Sequence, residues 1–547
     1  MQSKHESAPS KLGYATSFRE QLTVRSLILG ALGSAVVSTS SVYAALRMGA
    51  LPWPTIFVAI LSMAVLTALR RTNLNEINVT HTAMSAGPLV AGGLAFTIPG
   101  IWMINQNAQV SYLSLIMVTI AGTVLGCIFT YTIRRHFIEK EKLPYPMGVA
   151  SSEVLLAGDE GGSKARVVFS TLGLAALFVA VRDWFHKIPT LVSSTWLAGH
   201  NIFVGIWLSP MAVGIGYIIG PLYMGTWLLG GAFATFFLVP VGVALHWFAD
   251  VAAATAFKNS LGFGLMLGCG IGVLVKNIIP KAREIFGPTL GIGREKGDLD
   301  LRWTPLVFAL VAFALTVFTE MRLVPSIITI FSCYITTAMA ATLTGQTGID
   351  PMEVFGVLVL LLVKLFMVPG QIEAFLIAGV VACAAGLAGD MLQDFKSGYI
   401  LHTDPKAQII GEFVGGITGS FVAVAVLFVL HRAYGAMGPG TQLVAPQASF
   451  VAAMVSGLPS PSAFVIGLVA GFGLYVLNVP VMTIGIGVYL PFFISAAAAV
   501  GGLAKFIIMR KRPQWDEKVT LAASGFMGGE GVTGVIIAFI RVLTGTV

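Results

Sequence analysis

The chain has 547 residues and a formal net charge of +8, with 56% hydrophobic and only 11% charged residues. Soluble proteins carry about a quarter charged residues, so a soluble globular fold is excluded and lipid must cover much of the surface. The basic excess lies mainly in short loops between apolar runs, where positive-inside orientation explains it better than nucleic acid does.

Residues 1–21 are polar and mildly basic and read as a cytoplasmic N-terminal tail. The run from Leu22 to Leu46 is too long for a secretory signal core and no clear cleavage site follows it, so it reads as the first spanning helix. Apolar runs near 53–69, 76–96, 109–133, 165–183, 201–221, 226–249 and 257–275 complete a first set. The stretch 276–303, rich in both charge signs, reads as a cytoplasmic linker. A second set follows near 304–320, 323–343, 351–369, 373–393, 407–430, 462–478, 484–508 and 519–541. Runs of about 20 residues match the hydrocarbon thickness of a bilayer, and their continuity favours helices over barrel strands. The expected fold is all-α, a polytopic membrane protein of about 16 segments, with a first repeat over 22–275 and a second over 304–547.

The two sets look like copies. Pro146 precedes Glu153 by seven residues, as Pro405 precedes Glu412. Pro210 and Pro221 are 11 apart, as are Pro480 and Pro491, and Gly268/Gly270 has a counterpart in Gly529/Gly531. The offsets of 259, 270 and 261 point to one displacement with small insertions. Internal repeats are a common way for transporters to build a midplane site. Arg70–Arg71, Arg134–Lys142, Lys276–Arg302 and Lys396–Lys406 fall on the tail's side of the span count, whereas Arg510, Lys511, Arg512 and Lys518 fall opposite. Small-xxx-small spacings such as Gly411/Gly415 and Gly467/Gly471 read as tight helix packing. Cys127, Cys269, Cys333 and Cys383 are singletons in apolar runs, so no disulfide, zinc site or cofactor is expected.

Charges inside a span cost roughly 2.5–3.5 kcal/mol each on insertion scales, and those retained call for a partner, a wet cavity or a function. They are Glu76, His81, Glu153, Glu353, Asp390, Asp394, Lys396, Glu412 and Glu530. In the stretch 73–88, Glu76, Thr80 and Ala83 share one helical face and Asn78, His81 and Ser85 the next, which reads as a short or broken helix lining a polar cavity or as a helix end at the interface. In 386–412, Asp390 and Asp394 share a face, Lys396 is close enough to compensate one of them, and Gly398 and Pro405 interrupt the helix. Matching broken helices in two halves point to a binding site. Asn75, Glu76, Asn78, His81, Asp390, Gln393, Asp394 and Lys396 are therefore expected to bind substrate. Glu153 and Glu412, at equivalent positions in apolar stretches, are the leading proton-linked carboxylates because partial desolvation suits a proton carrier. Glu530, flanked by glycines that admit close approach, joins them.

The segments NEINVTHTAMSAGPLVAG (75–92), KLPYPMGVASSEVL (142–155), SPMAVGIGYIIGP (209–221), GDMLQDFKSGYILHTDPKAQ (389–408), GIGVYLPFFISAA (485–497) and ASGFMGGEGV (523–532) resemble the oligopeptide transporter (OPT) superfamily, which includes the plant yellow stripe-like metal–chelate transporters. The resemblance runs from the third span to the last. It implies about 16 spans, proton-coupled uptake across an inner (plasma) membrane, and small peptides or peptide-like metal chelates as cargo, with a homodimer allowed by family analogy. Met147 and Thr403 stand where the plant relatives lead one to expect small residues. No metal-ligand cluster is visible, so a metal is expected to arrive already chelated. An intramembrane enzyme is the main competing reading. It lacks HExxH, GxSxG and P-loop motifs, and Leu387-Ala388-Gly389-Asp390 has Leu where a GxGD protease needs Gly. A passive channel leaves the repeat-related carboxylates unexplained.

Overall fold

A lipid-facing backbone must satisfy its own polar groups, and the apolar runs fold accordingly into helices. The structure is a computed structural model that describes residues 12–49, 51, 55–156, 161–199, 202–287 and 303–544. The expected tail up to residue 11 and the linker over 288–302 lie outside the described residues. The longer helices of the first part are α1 (Val24–Met48), α2 (Thr55–Leu69), α3 (Leu74–Ala95), α4 (Tyr112–Arg135), α5 (Pro146–Leu156), α6 (Gly161–Val179), α7 (Pro210–Ile219), α8 (Pro221–Ala232) and α9 (Val251–Val273). There follow α10 (Thr304–Phe318), α11 (Leu323–Thr347), α12 (Met352–Phe366), α13 (Gln371–Ile400), α14 (Pro405–Tyr434), α15 (Pro446–Ser456), α16 (Pro461–Val476), α17 (Val481–Tyr489), α18 (Phe492–Lys511) and α19 (Asp516–Thr544). A two-stranded antiparallel hairpin, β1 (Leu191–Ser193) with β2 (Gly205–Trp207), separates α6 from α7.

Among the described residues, 11 helical segments are long and apolar enough to cross a bilayer, or 12 if α15 and α16, bent by 117°, count as one span. The chain is thus an all-α polytopic membrane protein. Shorter apolar helices, among them α7 and α10, supplement these.

The centre of the molecule is built on α3 and α13. Every residue of α3 is buried, and it packs against α1, α13 and α14. Contrary to the expected short or broken segment, α3 is continuous: Asn73 caps it by accepting from the Glu76 N–H at 2.8 Å, and Pro88 is accommodated within it. Glycines set the spacing. A Cβ on Gly415 would lie 1.9 Å from the Ala83 carbonyl oxygen, and one on Gly419 would lie 2.3 Å from Gly87 Cα. Between α9 and α16, Gly264, Gly268, Gly467 and Gly471 press backbone on backbone in the same way. The packing role expected of these small residues is what the structure shows.

Prolines open successive helices at both spaced pairs: Pro210 and Pro221 start α7 and α8, while Pro480 and Pro491 immediately precede α17 and α18. The second break corrects one expected segment. The apolar run 484–508 is not one segment but parts of two helices of opposite direction. Along α8, Thr226 meets Thr483 and Gly231 meets Gly487, so α17 runs parallel to α8. Trp227 bonds Ser495 whereas Met224 faces Gly502, so α18 runs antiparallel to it. The reversal at Pro491 brings Lys505 and Asp516 back to the cavity that Pro146 and Gly348 also line. Gly531 meets Ser40 and Gly534 meets Tyr43, so α19 runs parallel to α1, and the basic cluster at 510–518 lies at the end of the bundle where α1 begins, as the positive-inside rule requires.

Candidate functional site

The polar residues of α3 are placed first by its cap. Glu76 receives Arg25 Nε at 2.7 Å and Arg25 Nη2 at 2.5 Å, with the Thr23 and Thr72 hydroxyls at 2.6 and 2.8 Å. It is a helix-end anchor, and its acceptor sites are occupied. Asn75 accepts from Ala15 N–H at 2.9 Å and donates to the Leu401 carbonyl at 2.9 Å and Thr403 Oγ1 at 3.1 Å. Asn78 donates to the same Thr403 hydroxyl at 3.2 Å and accepts from Ser397 at 3.0 Å. Gln393 accepts the Gly148 N–H at 2.8 Å. These residues tie α3, α5, α13 and the 401–404 turn together. They form a packed polar seam, and Asn75, Glu76, Asn78 and Gln393, expected to bind substrate, do not line the cavity described below.

One turn further along, the seam becomes ionisable. Asp390 and Asp394 on α13 and Glu412 on α14 are fully buried, with carboxylate oxygens all within 4.8 Å of one another. Helix α13 passes through Gly398 without a break and stops at Ile400; the interruption is the turn before Pro405 alone, which starts α14. Ser85 donates to Asp394 Oδ2 at 2.6 Å, and His81 Nδ1 stands 3.7 Å from Asp394 Oδ1. Gln408 donates to the Asp394 carbonyl at 2.7 Å and to Thr82 at 3.3 Å, holding the two helices in register. Among the described residues neither oxygen of Asp390 nor of Glu412 has a hydrogen-bond partner. Two full negative charges at 4.8 Å repel by roughly 3.5 kcal/mol even at an effective dielectric constant of about 20. Folding thus assembles a convergence of acids that no linear motif announced.

Three expected members fall elsewhere. Lys396 lies two residues beyond Asp394, turned to another face of α13, and pairs with neither aspartate among the described residues. Glu153 is exposed on α5, so the desolvation expected of it is absent even though Pro146 and Pro405 both begin helices. Glu530 is buried but taken: Arg182 Nη2 donates at 2.9 Å, Ser209 Oγ at 2.8 Å and Met211 N–H at 2.9 Å. Of the glycines beside it, Gly529 admits Leu172 and Ala175 of α6, and Gly531 admits Ser40 of α1. Its geometry is that of a pin between helices.

The space for a ligand is separate from the acid cluster, none of whose three acids lines it. A cavity of about 430 Å³ opens among α5, α7, α8, the 348–353 turn, α15, α17, α18 and α19. That volume is in the range of small-molecule sites, about 300–1,000 Å³. Its polar lining comprises Tyr223, Asp350, Glu353, Gln447, Lys505 and Asp516. Of these only Glu353 stood out in the sequence, as an intramembrane charge. Asp350 carried a weak signal, an acid immediately before Pro351 at a break between spans. Lys505 and Asp516 carry no sequence signal that sets them apart from ordinary interfacial charge. A second cavity of about 280 Å³ shares Tyr223, Ile349 and Thr483 with the first and reaches Lys276 and Asn478. Met147, one of the two departures from the plant pattern, faces the main cavity. Met352 joins cavity and acid cluster: it lines the former and fills the notch of Gly386, one turn before Asp390 on α13.

The family described as "OPT oligopeptide transporter protein" matches residues 21–280 and 294–541. The "Putative oligopeptide transporter" of Haemophilus influenzae is similar over 585 residues at 25% identity, covering 91% of this chain and 92% of that protein. Two plant proteins are similar at lower identity. The "Probable metal-nicotianamine transporter YSL5" of Arabidopsis thaliana is 22% identical over 627 residues, 94% of this chain and 87% of that one. The "Probable metal-nicotianamine transporter YSL13" of Oryza sativa subsp. japonica is 23% identical over 628 residues, 94% and 85% of the two.

Proposed function

From the premise that this chain belongs to the OPT oligopeptide transporter family, matched over most of its length, we propose that it is a secondary active transporter. It is no enzyme, and it imports small oligopeptides or peptide-like metal chelates across the inner (plasma) membrane together with protons, by symport. The observation that carries the coupling is the buried triad of Asp390, Asp394 and Glu412 with its unpartnered oxygens. Acids this close repel one another strongly when charged, so a proton or cation among them relieves the cluster, and His81 Nδ1 stands 3.7 Å from Asp394 Oδ1. The sequence expectation for Glu412 is retained, Asp390 and Asp394 move from substrate binding to coupling, and Glu153 and Glu530 leave the coupling set. The repeat architecture, with about 16 crossings in two related halves at 22–275 and 304–547, is part of this reading, as is a homodimeric assembly. The proline pairs that open α7/α8 and α17/α18 support the repeat.

Alternating access needs cargo occupancy and protonation to favour the same helix arrangement. Met352, seated between the cavity and Gly386, supplies a contact through which cargo bears on α13. The test is uptake of a mixed peptide pool into sodium-free proteoliposomes under an inward-acid gradient, for wild type, Glu412→Gln and Asp390→Asn. Both variants are expected to lose gradient-driven accumulation at least tenfold while keeping exchange of internal for external cargo. Accumulation at the wild-type level by both variants overturns the assignment.

A further inference from the structure

The cavity, as distinct from the acid cluster, has a polarity that specifies which end of a cargo goes where. Gln447 is 2% exposed, and its Nε2 donates to the Gly49 carbonyl at 2.7 Å, which fixes the amide and leaves Oε1 unpartnered at the cavity wall. Among the described residues both carboxylate oxygens of Asp350 are buried without a hydrogen-bond partner, and Glu353, 2% exposed, stands three residues on in the first turn of α12. This wall offers acceptors and, among the described residues, no cation. On the α18 side Lys505 lines the same space, half-buried, its Nζ 5.5 Å from the Tyr217 ring centre, and it makes no ion pair among the described residues. Asp516, the remaining acid of the lining, already accepts from Tyr217 Oη at 2.8 Å.

We infer that the cavity receives a zwitterionic peptide in one orientation, its α-ammonium group against Asp350, Glu353 and Gln447 Oε1 and its α-carboxylate against Lys505. An ammonium group brings three N–H donors and one positive charge, the complement of that wall. A bare divalent cation fits less well: among the described residues the acids close enough to share a metal are Asp390, Asp394 and Glu412, not those of the cavity. A metal would therefore enter held by an organic ligand that itself carries the ammonium and carboxylate groups. Unpaired buried polar groups discriminate strongly against a ligand that lacks the matching group.

This inference rests on the transport reading above, and the experiment separates the two. Proteoliposomes under an inward-acid gradient are offered one pool of di- to tetrapeptides in three forms: free, N-acetylated and C-amidated. Accumulated species are read by mass spectrometry. Free peptides are expected to accumulate at least tenfold over either blocked form. Lys505→Gln should erase the preference for a free carboxylate only, and Asp350→Asn with Glu353→Gln the preference for a free amino terminus only. Lys505 is partly solvent-facing, so its variant keeps the test alive if the paired acid variant does not fold. Equal accumulation of free and blocked peptides overturns the orientation and leaves the transport reading standing. No accumulation of any form by folded protein overturns the peptide reading and this assignment with it.

Discussion

The contact between α3 and α14 holds Glu412 against Asp394, and it depends on glycine. Gly415→Ala places a Cβ 1.9 Å from the Ala83 carbonyl oxygen, 2.8 Å from Ala83 C and 3.1 Å from the Ala86 Cβ. The nearest obstacles are backbone, so no side chain can rotate away. Ordinary contact begins near 3.4 Å, and the helices must part by about 1.5 Å along that line. Gly411 and Gly419 lie on the same face and also contact α3, so parting at one point loosens a whole seam. Overpacking costs typically about 1–3 kcal/mol, and a backbone-limited clash belongs at the upper end. The assay is thermal unfolding of the purified protein in detergent, with Gly473→Ala as control. A Cβ on Gly473, within α16, meets nothing within 4 Å, and replacing a helical glycine by alanine there should gain up to about 1 kcal/mol. The two variants should shift the midpoint in opposite directions, and Gly415→Ala should weaken proton-driven uptake as well. A Gly415→Ala protein as stable as Gly473→Ala would refute the reasoning.

Arg182→Met strands Glu530, buried and charged, and should cost about 3–5 kcal/mol, while Arg182→Met with Glu530→Met should recover most of it; a single variant that unfolds at the wild-type midpoint contradicts the pin. All four cysteines are buried and unpaired, so a maleimide reagent should label none of them until the protein is unfolded. In a cysteine-free background, Lys140→Cys and Lys511→Cys should both be labelled from one face of sealed vesicles; labelling from opposite faces would remove the reversal at Pro491.

Much of this was legible as composition, and less of it as geometry. Polar residues within apolar runs marked α3 and the α13–α14 turn, because an unexplained charge in a span is visible in one dimension. That Glu412 would meet Asp394 was not visible, since it follows from how closely glycines let α14 approach α3. Glu153 shows the opposite failure: a matching proline and spacing in the two halves did not give it a matching environment, because exposure is set by neighbours in space. The run 484–508 was read as one span because an apolar pattern carries no sign of direction, and only the packing of α17 and α18 on α8 reveals the reversal. Asp350 and Lys505 sit at segment ends, where an ordinary solvated charge has the same appearance as one that faces a cavity.

The bond from the Ser34 hydroxyl on α1 to the Gly415 carbonyl on α14, at 2.8 Å, joins residues 381 apart in the chain. At synthesis rates of about 5–20 residues per second, roughly 20–80 s separate the emergence of the two. Throughout that interval α1 must rest in the bilayer with Ser34 uncovered toward the side that α14 will occupy. The nascent protein is therefore an unfinished bundle for most of its translation. A chain truncated anywhere before α14 would leave that face of α1 open, with the Ser34 hydroxyl lacking the Gly415 carbonyl it meets in the complete bundle.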